Sequence, residues 1–321
     1  MLTIRFVARM FSAVLIVLGA GGVSGQDYPN KPIRLFTTSP GGGLDFAARL
    51  FAPGLTASLG QTVIIENRGG GVTPIEIVAR APPDGYTLLF NSGSTWILPF
   101  LQTKVPYDPV RDLAPITLVE IAPSVLVVHP SLPVKSVKEL IALAKARPGE
   151  LNYAAGSIGS STHLSPELFK SMAGVDIVHI FYKSSGPALT DLIAGQVQLM
   201  FASAGGVAPH IKSGRVRALA VTTAKPSELL PGLPTVAASG LPGYESFVSH
   251  GMFAPARTPP AIIQRLHRET AREIHRPEVK EKLLGAGVEP VGNSPEEFGA
   301  YVKADMARWG KVIKDAGIRA E

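Results

Sequence analysis

Two short strings carry the residue types from which an anion site can be built. The first is Thr37-Thr38-Ser39-Pro40-Gly41-Gly42-Gly43-Leu44-Asp45. It follows an apolar run and precedes a helical pattern. Three glycines let the backbone turn tightly and let a ligand reach the main chain. The first amides of a helix lack an internal acceptor, and the positive end of the helix dipole lies with them, so an anion is favoured there. The second string, Ala155-Gly156-Ser157-Ile158-Gly159-Ser160-Ser161-Thr162, has the same setting. Either string alone also reads as an ordinary strand-to-helix connection. Their repetition suggests a clamp with one loop of neutral donors in each half of the chain, each taking a carboxylate. Such a clamp needs no buried arginine and releases its ligand readily.

The candidate ligand-binding residues are Thr38, Ser39, Gly41, Gly42, Gly43 and Asp45 from the first string, and Ser157, Ser160, Ser161 and Thr162 from the second. Asn91 and Ser92 join them at the end of a third strand pattern, where open α/β sheets place ligands. Tyr182 and Lys183 end a strand pattern in the second half. Asp45 has two readings: a carboxylate serving the helix start, or one meeting the ligand through water or an ammonium group. Lys183 either adds positive potential to the cleft or is a surface lysine.

Catalytic patterns are missing. His129, His163, His179, His210, His250, His267 and His275 are scattered without metal-binding spacing. His163 stands close to Ser160 and Ser161, yet no G-x-S-x-G elbow occurs, and His163 reads as a helix-start histidine. There is no G-x-x-x-x-G-K-[ST] loop and no cysteine. Neither cofactor nor metal is expected, and the chain is not expected to be an enzyme.

The elements that must position these loops alternate. Strand patterns at 33–37, 63–65 and 86–90 alternate with helix patterns at 44–59 and 75–81. Pro53 predicts a kink or early stop in the first helix. A polar loop is expected at 91–95, strands at 116–119 and 124–128, and a helix at 136–146 capped by Ser136. Further strands are expected at 151–154, 176–181, 197–201, 216–221 and 248–253. Helix patterns at 164–172, 188–194 and 208–213 intervene, and others follow at 260–276 and 278–284. A last helix opens at Ser294-Pro295 and carries Phe298, Tyr301, Val302, Met306, Trp309, Val312 and Ile313 as a packing stripe. The pattern gives two α/β units and a helical tail, each unit a mainly parallel sheet with covering helices. The tail is expected to pack on the first unit, with 124–128 and 248–253 crossing between units as a hinge.

The chain has 321 residues and a formal net charge of +6. Arg5 and Arg9, an apolar stretch over 10–22 and small residues at Val23-Ser24-Gly25 form a secretory signal peptide with cleavage after Gly25. The alternative, a membrane anchor, would need about 20 apolar residues. What remains is enough for two domains. Basic residues are dispersed among acidic ones, so nucleic acid is a poor partner, while a mildly positive surface favours small anions.

Together the strings resemble the solute receptors of tripartite tricarboxylate transporters, the Bug/TctC family of periplasmic binding proteins. The resemblance runs through Pro40-Gly41-Gly42-Gly43 with Asp45, Leu59-Gly60-Gln61, Glu66-Asn67-Arg68, Ala81-Pro82-Pro83-Asp84-Gly85-Tyr86 and Tyr107-Asp108-Pro109. It continues through Leu151-Asn152-Tyr153, Tyr182-Lys183, Gly186-Pro187-Ala188, Gly195-Gln196-Val197 and Gly240-Leu241-Pro242-Gly243-Tyr244. It implies an α/β, two-lobed periplasmic binding protein of type II, a Venus flytrap. The lobes would be 26–124 plus 250–321 and 125–249, after a signal peptide at 1–25. It implies a monomeric periplasmic receptor that captures a small carboxylate, a di- or tricarboxylate or an aromatic acid, and delivers it to two membrane permease subunits. A module presenting the bound carboxylate to a sensor kinase is the alternative. A lobed enzyme that tethers its cofactor through cysteine is excluded. The chain departs from the family pattern at Gly69-Gly70-Gly71-Val72-Thr73-Pro74, and at Phe181 (proline expected), Ser184 (glycine), Ala238 (glutamate) and Ser249 (tryptophan). Several of these positions flank the expected cleft.

Overall fold

A computed structural model describes residues 28–69, 72–156, 160–182 and 184–318. The expected signal peptide, Gly70, Gly71, Ser157 and Lys183 lie outside the described residues. Among those residues the strands form one ten-stranded sheet, ordered β2-β1-β3-β9-β4-β7-β5-β6, with β8 and β10 paired to β4. The strands are β1 Ile33–Thr37, β2 Val63–Asn67, β3 Thr87–Ser92, β4 Leu113–Val128, β5 Asn152–Ala155, β6 Val178–Phe181, β7 Leu199–Ser203, β8 Arg217–Val221, β9 Phe247–Pro255 and β10 Glu289–Pro290. The outer strands pair in parallel, and every pairing of β4 and β9 is antiparallel. The fold is thus α/β with a mixed sheet, the expected parallel order holding at the two ends.

The two expected strands at 116–119 and 124–128 are one strand, β4. Pro123 does not end it, because β4 changes partners there. Up to Pro123 it pairs with β9, and from Ser124 it pairs with β7. A residue without an N–H donor is tolerated where a ladder ends. The chain returns at Ser246, whose N–H donates to the Thr222 carbonyl, just before β9 pairs with the first half. β9 itself stays within that half. In the second half, Leu126 and Val128 enter one core and Val125 and Val127 another, so both faces of the sheet are covered.

Helix α1, Gly43–Leu59, runs through Pro53 without stopping. Ala47, Ala48, Phe51, Ala52 and Leu55 are buried on either side of the proline, and this packing outweighs the lost bond to the Arg49 carbonyl. Helices α2 (Thr73–Ala79) and α3 (Ser94–Leu101) follow. Only a loop is expected at the start of α3. Its anchor is Trp96, which is fully buried among Phe253, Phe298 and Tyr301. The second half adds α4 (Val137–Ala146), α5 (Ser161–Ala173), α6 (Ser185–Ile193) and α7 (Ala204–Lys212). Then come α8 (Pro260–Ile274), α9 (Pro277–Gly285) and α10 (Pro295–Asp315). Ser294 and Glu297 close a capping box at the start of α10.

The expected tail stripe is present on α10, but it serves both halves. Phe298 and Val302 lie in the first half's core, and Trp309, Val312 and Ile313 in the second's. The tail therefore bridges the halves instead of packing on the first alone. A 21-residue helix is long enough to reach both.

Candidate functional site

The glycine turn is held from behind by Asp45, which is 5% exposed. Gly41 N–H donates to its Oδ2 at 2.9 Å, and Arg49 Nε and Asn67 Nδ2 donate to its Oδ1, both at 2.9 Å. Asn67 Nδ2 also donates to the Thr38 carbonyl at 2.8 Å, and Arg49 Nη2 donates to Asn67 Oδ1 at 2.9 Å. Burial pushes the Asp45 carboxyl up, but these hydrogen bonds and the Arg49 charge together hold it below the usual carboxylate range. Both carboxylate oxygens are thus engaged in shaping the turn.

Of the three glycines, Gly41 alone needs to be glycine for its backbone, with φ at +79°. Gly42 begins α1 with φ −82° and ψ 170°, and no side chain caps the helix there. The amides of the first turn keep their donors free of an intrahelical acceptor. Ser39, Gly41, Gly42 and Gly43 are exposed, and Thr38 is half-buried.

In the second half, Ser160 begins α5 in extended conformation without a side-chain cap bond. Thr162 Oγ1 accepts from Gly156 N–H at 3.0 Å and lies 3.0 Å from Ser160 Oγ. Tyr182 is turned to its own unit, its hydroxyl donating to Asp191 Oδ2 at 2.7 Å. At the end of β3, Asn91 is buried and Oδ1 accepts from Ser92 N–H at 2.8 Å. Its Nδ2 has no hydrogen-bond partner among the described residues.

A cavity of about 210 Å³ lies between the halves. Ser92, Ser94 and, on β9, Ser249 line it from the first half, Ser160 and Ser161 from the second, and Ser246 from the return crossing. Ile97, Leu101, Leu164 and Trp309 form apolar walls, with Asp305 among them. No lysine or arginine lines it among the described residues. The structure thus brings together Ser92, Ser160 and Ser161. It does not place the glycine turn in this cavity. Gly41 and Asp45 border a separate open groove with Phe46, Arg49, Lys282 and Ala286.

Ser94 falls in the polar loop expected at 91–95, whereas Ile97, Leu101, Leu164, Ser246, Asp305 and Trp309 were not expected as site residues. For Asp305 a signal existed: it falls on the tail stripe, seven residues after Phe298 and four before Trp309, where packing alone would place an apolar residue. Ser249, one of the departures, lines the cavity, so its small side chain leaves space. Phe181 is 55% exposed, and Ser184 begins α6.

His163 lies in the first turn of α5, buried and stacked on His179 at 4.5 Å, and His179 stacks on Tyr153 at 4.9 Å. Tyr153 hydroxyl and Lys170 both donate to Glu167 Oε1. Burial, then the neighbouring His179, pushes His163 down to about 4. The fold favours neutral His163, so the unfolded chain takes up the proton first. The associated stability is complete above the ordinary value of 6.5 and is lost as pH falls toward about 4. Thermal melts from pH 7 to 4.5 are expected to show a loss of about 1–3 kcal/mol from this group. His163→Phe should flatten that part of the profile. An equal loss in wild type and variant would show that the stack does not titrate in this range.

Among the described residues no helix is long and apolar enough to cross a membrane, and no group of three or more His, Asp or Glu residues is placed to hold a metal. A family model described as the tripartite tricarboxylate transporter family receptor, TctC, matches residues 47–318. Protein BugT of Bordetella pertussis is 36% identical over 320 residues, covering 97% of this chain and 98% of that one. Rpa4515 of R. palustris, solved with adipate, is 39% identical and superposes with a TM-score of 0.70, covering 91% of this chain and 99% of that one. A TctC solute-binding protein from Polaromonas, solved with no ligand, is 25% identical with a TM-score of 0.83, covering 90% and 99%.

Proposed function

The chain belongs to the tripartite tricarboxylate transporter receptor family, and from that premise we infer that it captures a small carboxylate between its two halves and delivers it to a pair of membrane permease subunits. Capture takes place in the periplasm, after removal of residues 1–25, and involves no catalysis. The observation that carries this reading is the cavity shared by both halves, to which Ser92 comes from one side and Ser160 and Ser161 from the other. A site divided in this way is complete only when the halves are held together, so ligand and closure favour one another.

The lobes we assign are 26–124 with 250–321, and 125–249. This division is supported by the chain's passage between halves at Pro123 and again at Ser246. The glycine turn stands apart from the shared cavity, which fits an open receptor whose closure would bring the α1 and α5 N-termini toward one ligand. The better superposition on the ligand-free relative, despite its lower identity, favours the same conformer. In the closed form the carboxylate oxygens would take main-chain donors of the first helical turns and the Ser160, Ser161 and Thr162 hydroxyls.

A ligand that binds only the folded state stabilises it, by about 2.7 kcal/mol at a hundredfold excess over Kd. A thermal-shift panel of mono-, di- and tricarboxylates and aromatic acids is therefore expected to contain at least one acid that raises Tm by several degrees. A panel with no shift at millimolar concentration would overturn the reading.

A further inference from the structure

We propose that the cavity between the halves receives an uncharged hydrocarbon body of the ligand, so that the captured solute is an acid with an aliphatic or aromatic frame and not a hydroxylated acid or a tricarboxylate. This rests on the carboxylate-capture reading and narrows it.

The walls set the preference. Ile97 and Leu101 of α3, Leu164 of α5 and Trp309 of α10 face the cavity from three helices. Several of the serine hydroxyls around them are paired with a neighbouring hydroxyl. Ser92 Oγ lies 2.7 Å from Ser94 Oγ, Ser160 Oγ lies 3.0 Å from Thr162 Oγ1, and Ser246 Oγ is hydrogen-bonded to Ser165. Each such pair spends one of its two O–H donors, so a ligand with many hydroxyls would give up water for fewer partners than it needs. A hydrocarbon body loses nothing of that kind and gains from leaving water.

Charge points the same way. Asp305 is 2% exposed at the cavity wall, accepting from Trp96 Nε1 at 2.8 Å and from Arg308. Arg308 is shared with Glu245 at 3.5 Å. Two carboxylates around one guanidinium leave the polar cluster beside the cavity net negative. With no lysine or arginine on the described walls, an additional ligand carboxylate placed here would be buried without a counter-charge.

Adipate and galactarate have the same chain length and the same two carboxylates, and differ only in four hydroxyls. Calorimetric titration of the mature protein is expected to show adipate binding at least tenfold more tightly than galactarate, and benzoate more tightly than citrate. Ser249→Trp, which fills the cavity, should bring both ratios toward one. Should that variant not fold, Leu101→Asn at the half-buried rim should reduce both ratios. Galactarate or citrate binding as tightly as its partner would overturn the inference while leaving carboxylate capture standing. Ratios unchanged in the folded variant would also overturn it. No heat or thermal shift with any of the four acids, nor with a wider carboxylate panel, would overturn both readings.

Discussion

Gly42→Val is expected to weaken ligand capture on the order of a hundredfold while leaving the fold as stable as before. The two effects separate because nothing within the protein requires glycine at this position. Its φ of −82° is open to any residue, and an added Cβ would meet only the Ser39 carbonyl at 3.6 Å. A side chain here restricts the unfolded chain and can even stabilise, by about 0.4–1 kcal/mol. It would, however, stand over the uncapped amides of α1, where a carboxylate must approach. Losing a charge-assisted contact of about 2–3 kcal/mol lowers affinity on the order of a hundredfold. Gly41→Val provides the contrast. At φ +79° it forces a branched residue into the left-handed region, at a cost of about 1–2 kcal/mol or more. Titration and thermal melts of both variants check this. Wild-type affinity in Gly42→Val would remove the turn from the site.

Asp45→Ala is expected to fail differently, losing stability and binding together. The carboxylate is buried and takes three donors from Gly41, Arg49 and Asn67. Removing it leaves the Gly41 and Asn67 donors unmatched, while Arg49, with its side chain 56% exposed, turns to water, so the loss is about 1–3 kcal/mol. The turn then loses the bond that fixes Gly41, so the α1 amides are no longer held in place for the ligand. Asp45→Asn keeps the size but presents an amide donor or a single acceptor where two acceptors are needed, and should fall between wild type and alanine. Because the fold holds the Asp45 carboxyl below its ordinary 3.8, its contribution is complete above that value and is lost only as pH falls below it. Binding should therefore not titrate on account of Asp45 between pH 5 and 8. Melting curves and titrations of both variants check this, and an alanine variant as stable as wild type would contradict the role given to Asp45.

The glycine turn and the α5 loop were legible because each is a local event: an apolar strand, a run of small and hydroxyl residues, and a helix start. Asp45 was legible only as a choice between two roles, since its partner Asn67 lies on another strand. The continuity of β4 was hidden because Pro123 reads as a break, and only the exchange of β9 for β7 shows why the strand survives it. Helix α3 was hidden by its shortness, its internal Pro99 and the polar residues before it, while the force that holds it, burial of Trp96, depends on residues far away in the chain. The stripe on α10 announced a buried helix without saying what it covers. The cavity was the least legible feature. Its serines come from three stretches of chain that meet only in the fold, and on α10 only Asp305 broke a local pattern.

Capture as proposed closes both halves upon one carboxylate ligand. Solution scattering of the mature protein, alone and saturated with the acid of highest affinity, tests it most directly. A smaller radius of gyration is expected on saturation, because a divided site is completed only by closure. An unchanged radius of gyration in a sample shown by titration to be saturated would contradict it.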